Sequence, residues 1–70
     1  MFEVTKLREE KKWSKSELSR RSGLNLPLIS QLESGKIFPY PGWRKKIGKA
    51  LEVKPDILFQ EVNEDDKPSE

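Results

Sequence analysis

The stretch SKSELSRRSGLNLPLISQLESGK, residues 14–36, decides the fold because it contains two helix starts separated by a sharp turn. Ser14, with Glu17 three residues later, forms a capping-box pattern in which the Glu17 side chain reaches back to the Ser14 amide. This pattern predicts a helix over residues 15–22. Gly23 then supplies the left-handed backbone that ends a helix. The first part of the stretch is therefore predicted to be a short helix that stops at this glycine.

A second helix follows the turn at once. Asn25 is a favourable N-cap, and Pro27 stands in the first turn, where its missing N–H removes a donor without a helical partner. Gly35 ends this helix, and its apolar stripe consists of Leu28, Ile29 and Leu32. The connection over residues 22–25 is short, and the small Ser19 allows a close approach, so we expect a crossing angle of roughly 90–120°. The pattern indicates a helix-turn-helix, although a generic helical hairpin has a similar spacing.

The rest of the chain has helical periodicity and no strand-like alternation. We predict one helix over residues 3–12, one that begins at Pro41, and a last short helix that begins at Pro55. Their apolar positions are Val4 and Leu7, then Trp43, Ile47, Ala50 and Leu51, then Ile57, Leu58 and Phe59. The expected fold is all-α, with five short helices.

The composition excludes several classes of site. The chain has no cysteine and no histidine, so it has no disulfide, no Cys-based metal site and no histidine general base. We therefore predict neither an enzyme nor a metal, a cofactor or a small-molecule ligand. No run approaches the ~18 apolar residues of a membrane span, and the start of the chain does not resemble a signal peptide. We expect a cytoplasmic protein.

The charge is distributed unevenly along the chain. Residues 1–60 hold thirteen Lys and Arg against seven Asp and Glu, whereas residues 61–70 hold one Lys against five acids. We therefore predict a basic domain over residues 1–60 and an acidic, disordered tail over residues 61–70. A basic domain favours a polyanionic partner, although the same charge also maintains solubility.

Several segments of this chain match a known pattern. The most specific are ISQLESGK, residues 29–36, and IGKALEV, residues 47–53. Further matching segments are residues 7–11, 13–19, 23–24 and 55–59, together with Pro39. Through these segments the sequence resembles the lambda-repressor-like helix-turn-helix family, the Cro and phage-repressor type, also called the xenobiotic-response-element type. The resemblance runs from Leu7 to Phe59.

The resemblance implies that the third helix enters the major groove of double-stranded DNA, which is wide enough to admit an α-helix. The residues implied to contact bases are Leu26, Pro27, Ser30 and Gln31. The residues implied to contact phosphates or nearby backbone are Lys15, Asn25, Lys36, Gly42 and Trp43. We predict Ser16 and Arg44 as further phosphate contacts, the latter from an exposed basic turn. Tyr40 could donate its hydroxyl to a phosphate or could only pack on Pro39. Arg8 and Glu33 match a pair of residues that forms an ion pair between the first and third helices.

The leading edge of the third helix departs from the family, whose members often have Gln, Arg or Ser there. Here the sequence is Leu26-Pro27-Leu28, which leaves two interpretations open. In one, Leu26 and Pro27 pack on thymine methyl groups while Ser30 and Gln31 form hydrogen bonds with the bases. In the other, Leu26 and Leu28 bind a partner protein, as in an antitoxin-like module. The basic residues in this half of the chain favour DNA.

The size of the domain predicts a dimer. A module of about 60 residues buries little surface on DNA, so two copies on a palindromic operator are expected to supply the affinity. Ile57, Phe59 and Val62 make the end of the domain apolar, and we expect them to meet a second copy. The simplest role for such a homodimer is a transcriptional repressor.

Overall fold

The computed structural model describes residues 1–62, which form a small bundle of helices. The elements are α1 (Glu3–Glu10), α2 (Lys15–Ser22), α3 (Leu26–Ser34), α4 (Pro41–Leu51) and a 3-10 helix (Pro55–Ile57). The described residues contain no β-strand, only an isolated antiparallel bridge between Phe2 and Glu61. The predicted all-α class is confirmed.

Two details of the predicted helices were wrong. The fifth helix is a single 3-10 turn, because the N–H of Leu58 bonds the carbonyl of Pro55 three residues earlier, at 3.3 Å. The first helix ends at Glu10 rather than at residue 12, because Lys12 takes a left-handed backbone conformation with φ of 61°. That conformation lets the N–H of Trp13 turn back onto the carbonyl of Arg8 at 3.1 Å.

The core is made of aliphatic side chains from all parts of the bundle. Its buried members are Val4, Leu18, Leu24, Ile29, Leu32, Ile47, Leu51 and Leu58. Ile29 and Leu32 come from α3, so one side of that helix is fixed on the body of the domain and the opposite side faces solvent. Burial of one such aliphatic side chain stabilises the fold by roughly 1.5–3 kcal/mol.

The start of α2 forms only half of the predicted capping box. The Ser14 hydroxyl accepts the N–H of Glu17 at 3.1 Å, as expected of an N-cap. The Glu17 carboxylate does not return to the Ser14 amide, since it instead binds the side chains of Arg20 and Arg21. Charged partners one turn away compete successfully with a backbone amide for this carboxylate.

The two ends of the described chain are joined. The amides of Glu3 and Val4 donate to the carbonyls of Gln60 and Leu58 at 3.0 and 2.8 Å, so the C-terminal segment satisfies the first turn of α1. The N–H of Val62 donates to the carbonyl of Met1 at 2.7 Å. Residues 61 and 62 of the predicted tail are therefore bonded to the N-terminus, and residues 63–70 lie outside the described residues.

Within residues 1–62, no helix has the length and apolar character needed to cross a bilayer. The longest, α4, is 11 residues long.

Candidate nucleic-acid interface

The turn between α2 and α3 is fixed by local hydrogen bonds. Gly23 has φ of 79°, the left-handed conformation that favours glycine. The Ser19 hydroxyl donates to the carbonyl of Leu24, and the N–H of Leu24 donates to the Ser22 hydroxyl at 3.3 Å. The Leu24 side chain is buried in the core. The direction in which α3 leaves the turn is therefore set by the last turn of α2 and by the core.

The start of α3 is a capped and rigid turn. The Asn25 side-chain oxygen accepts the N–H of Leu28 at 2.9 Å, which leaves the NH₂ group of Asn25 as a donor for another partner. Pro27 has no N–H and a fixed φ. The first turn of α3 therefore has few backbone donors of its own to offer to a ligand.

One face of α3 is open to solvent. Leu26 is 42% exposed, Pro27 and Gln31 are exposed, and Ser30 is half-buried. These positions follow the i, i+1, i+4, i+5 spacing of a single helical face. The structure thus brings together the four side chains that were predicted to contact bases. Leu28 differs from them because it packs against the core.

The far end of α3 is held by a bidentate ion pair. Nε and Nη2 of Arg8 donate to the two carboxylate oxygens of Glu33 at 2.8 and 3.1 Å. Nη1 of Arg8 donates to the carbonyl of Trp13 at 2.7 Å, and the Thr5 hydroxyl donates to the Glu33 carboxylate at 3.1 Å. The Glu33 side chain is only 5% exposed. This network joins α1, the segment before α2, and α3.

Two helix starts other than that of α3 present unbonded amides. Lys15 and Ser16 are exposed and precede the first amide that bonds within α2, that of Leu18. Gly42 and Trp43 take the same place in α4, where the first such amide is that of Arg44, at 3.1 Å from the Tyr40 carbonyl. Free amides at a helix start attract anions. A phosphate is therefore chemically suited to either position.

The loop between α3 and α4 places the remaining candidate phosphate contacts. Lys36 is exposed directly after the end of α3. Tyr40 is 57% exposed, with its ring edge-on to the half-buried Trp43 ring at 5.2 Å between centroids. Trp43 packs against the core, so its backbone amide is more available to a ligand than its ring. Arg44 donates through Nε to the carbonyl of Pro39 at 2.8 Å, which uses one guanidinium donor to hold the loop.

The basic residues of α2 and α4 meet at one groove. It has a volume of about 510 Å³, and its lining includes Arg20, Arg21, Lys46 and Lys49. Arg20 and Arg21 share the Glu17 carboxylate, and the Arg21 guanidinium also stacks 4.4 Å from the centre of the Trp13 ring. These two arginines are therefore partly neutralised, and they add less positive potential than the sequence alone indicates.

The candidate dimer residues are at the other end of the chain. Ile57, Phe59 and Val62 are each half-buried. The Phe59 ring packs edge-on to the Phe2 ring at 5.6 Å, so part of its apolar surface is covered within the same chain. Ile57 and Val62 retain the exposed apolar surface on which the prediction of a second copy depends.

Sequence reasoning assigned no role to Phe38, although its side chain is 60% exposed beside Tyr40. Its ring is edge-on to that of Tyr40 at 5.0 Å. The run Phe38-Pro39-Tyr40-Pro41 was a signal that could have been used, since two prolines around aromatic residues favour an extended loop with little room to bury its rings.

The comparisons with known proteins address the family directly. A helix-turn-helix family model matches residues 4–39, which cover nearly all of α1, the whole of α2 and α3, and most of the following loop. A search of curated proteins gave no match. The matched residues amount to half of the chain and contain both the turn at Gly23 and the open face of α3. The chain belongs to the lambda-repressor-like helix-turn-helix family, the DNA-binding regulators of the Cro and phage-repressor type.

Proposed function

We propose that this protein is a sequence-specific transcriptional repressor that acts as a homodimer on a palindromic operator. The observation that carries the proposal is the open face of α3. Leu26, Pro27, Ser30 and Gln31 project from a helix whose other side is buried and whose end is fixed by Glu33. A rigid helix with exposed hydrogen-bonding and apolar groups on one face suits the major groove. There the base pairs differ in their pattern of donors and acceptors and in the presence of the thymine methyl group.

The two kinds of side chain on this face have different tasks. Gln31 has a side-chain amide whose NH₂ group can donate to adenine N7 while its oxygen accepts from the adenine N6 amino group, so this bidentate pair favours adenine. Leu26 and Pro27 have only apolar surface to offer, and the apolar feature of the major groove is the thymine methyl group. An adenine and a thymine contact together predict an operator half-site that contains A·T pairs beneath the start of α3.

The phosphate contacts are proposed to surround this face. Lys36 and Arg44 contribute cations after α3, and Lys15 contributes one at the start of α2. The amides of Ser16, Gly42 and Trp43, the amide group of Asn25 and the hydroxyl of Tyr40 add neutral donors. Such contacts fix the orientation of the domain on the duplex but do not distinguish one sequence from another.

The rival proposal is a module that binds a partner protein through Leu26 and Leu28. Leu28 is half-buried against the core, so only part of its side chain is available to a partner. Leu26 and the rest of Leu28 provide a small apolar surface, whereas binding energy in protein interfaces is concentrated in clusters of large buried side chains. This observation favours DNA over a protein as the ligand of α3.

The direct test is binding to duplex DNA at several salt concentrations. We expect the logarithm of the affinity to fall linearly with the logarithm of the salt concentration, because phosphate contacts release counterions. Lys36→Ala is expected to weaken binding to all sequences alike and to reduce the slope by about one ion. Lys54→Ala is the matched control, because this exposed lysine precedes the 3-10 helix and has no proposed phosphate contact. A Lys36→Ala slope equal to that of the parent would exclude the contact.

The homodimer makes a separate prediction. We expect sedimentation at tens of micromolar to show a dimer, and Ile57→Asp to convert it to a monomer, because an isologous contact places each substituted carboxylate against the same apolar surface of its twin. Ile57 is the better target than Phe59, whose packing on Phe2 also stabilises the monomer. A parent protein that sediments only as a monomer contradicts the proposal, and so does a dimer unaffected by Ile57→Asp.

A further inference from the structure

Three aromatic rings form a row in the loop between α3 and α4. The centroids of Phe38 and Tyr40 are 5.0 Å apart, those of Tyr40 and Trp43 are 5.2 Å apart, and both pairs are edge-on. Trp43 anchors the row in the core, whereas Phe38 and Tyr40 are 60% and 57% exposed. Single exposed apolar residues are common, but two adjacent exposed rings on a rigid base make an apolar patch that calls for a partner.

The row is held in place by its surroundings. Pro39 and Pro41 fix the backbone on both sides of Tyr40. Nε of Arg44 donates to the carbonyl of Pro39 at 2.8 Å, which ties the loop to α4. Contact with a ligand therefore orders little that is not already ordered, and a preorganised surface binds at a lower entropic cost.

The row also has phosphate-binding chemistry on both sides. Phe38 follows Lys36 by two residues, and Tyr40 precedes Gly42 by two residues. Two residues of chain span at most about 7 Å, so each exposed ring is close to one of the groups proposed to bind phosphate. Along a DNA strand, the group between two successive phosphates is the deoxyribose, whose C–H surface is the apolar part of the backbone.

We propose that Phe38 and Tyr40 form an apolar backbone-docking patch that packs on the deoxyribose surface of the strand whose phosphates meet Lys36 and the start of α4. This proposal rests on the DNA-binding function proposed above. The patch adds affinity that depends neither on base sequence nor on counterion release. It thereby distinguishes the contribution of the rings from that of Gln31, which depends on sequence, and from that of Lys36, which depends on salt.

The test compares Phe38→Ala with Phe38→Leu in the full chain. Affinities are measured by fluorescence anisotropy for an operator obtained by in vitro selection and for a scrambled duplex, each at several salt concentrations. Burial of about half a phenylalanine side chain predicts a loss of roughly fivefold for Phe38→Ala on both duplexes, with an unchanged salt slope. Phe38→Leu, which keeps most of the apolar area, is expected to retain most of the affinity.

Three results would overturn the patch. The first is a Phe38→Ala affinity equal to that of the parent on both duplexes. The second is a loss confined to the selected operator, which would make Phe38 a base contact. The third is a Phe38→Ala variant that sediments as a monomer where the parent sediments as a dimer, which would assign the rings to the contact with a second copy. A parent protein that binds neither duplex would contradict the proposed DNA-binding function itself. That result is distinguishable from the three above, which contradict only the patch. Because Phe38 is mostly exposed, both variants are expected to keep the urea midpoint of the parent.

Discussion

Replacement of Glu33 by Ala is expected to lower the free energy of unfolding by about 3 kcal/mol. The substitution leaves the Arg8 guanidinium, whose side chain is 9% exposed, without its carboxylate partner. It also removes the acceptor of the Thr5 hydroxyl. An uncompensated buried cation costs more than the ion pair contributes, so the loss exceeds that from a surface pair. Urea unfolding measured by circular dichroism gives the change.

Glu9→Ala is the matched control for this prediction. Glu9 also has a carboxylate near the Arg8 guanidinium, at 4.0 Å, but its side chain is 60% exposed. Removal of a solvated partner at that distance is expected to cost less than about 1 kcal/mol. The comparison keeps the same arginine and changes the burial of the acid and its distance from the guanidinium. A urea midpoint for Glu33→Ala equal to that of Glu9→Ala would show that the pair does not hold α3.

The helices were predictable because their signals are local. Ser14, Asn25, Gly23 and Gly35 occupy the cap positions that their side chains or their backbone freedom favour. The helix end that was predicted wrongly depends on a contact outside the helix. Residue 12 leaves the helix because the Trp13 carbonyl is placed against Arg8, and no pattern within α1 indicates that bond.

The close packing around Gly48 was also not predictable. A Cβ at this position would lie 2.8 Å from the carbonyl oxygen of Val53, so only glycine allows the chain after α4 to return against that helix. Similarly, the ring of Phe2 lies over Gly35, where a Cβ would be 3.4 Å from it. Both relationships join residues whose proximity results from the tertiary fold rather than from sequence spacing.

In the candidate site, too, some features follow from sequence spacing and others depend on the tertiary fold. The open face of α3 follows from helical periodicity, because the buried positions Ile29 and Leu32 fix which residues face outward. The pairing of Arg20 and Arg21 with Glu17 could have been proposed from i, i+3 and i, i+4 spacing, but the capping-box interpretation assigned that carboxylate elsewhere. The exposure of Phe38 had a local signal in the prolines at 39 and 41, but its position beside Tyr40 and Trp43 depends on the tertiary path of the loop.

The second prediction with a large effect concerns the open face of α3. Gln31→Ala is expected to weaken binding to the selected operator by about 1–3 kcal/mol and to relax the preference at one base pair, because a bidentate contact with adenine is lost. Gln60→Ala is the matched control, since Gln60 is exposed near the chain end and has no proposed contact with DNA. Anisotropy titrations against operators substituted at each position give both the affinity and the relaxed base pair.

The apolar part of the same face requires a different measurement. Leu26→Ala is expected to lower affinity for an operator with thymine beneath Leu26, because the methyl group loses its packing partner. Replacement of that thymine by uracil removes the methyl group while keeping the base pair, so the parent and Leu26→Ala are then expected to bind equally. A difference that persists on uracil places Leu26 on another part of the duplex. If Leu26→Ala and Gln31→Ala both bind the operator as tightly as the parent, α3 does not contact bases, and its exposed leucine becomes the anchor of a protein partner instead.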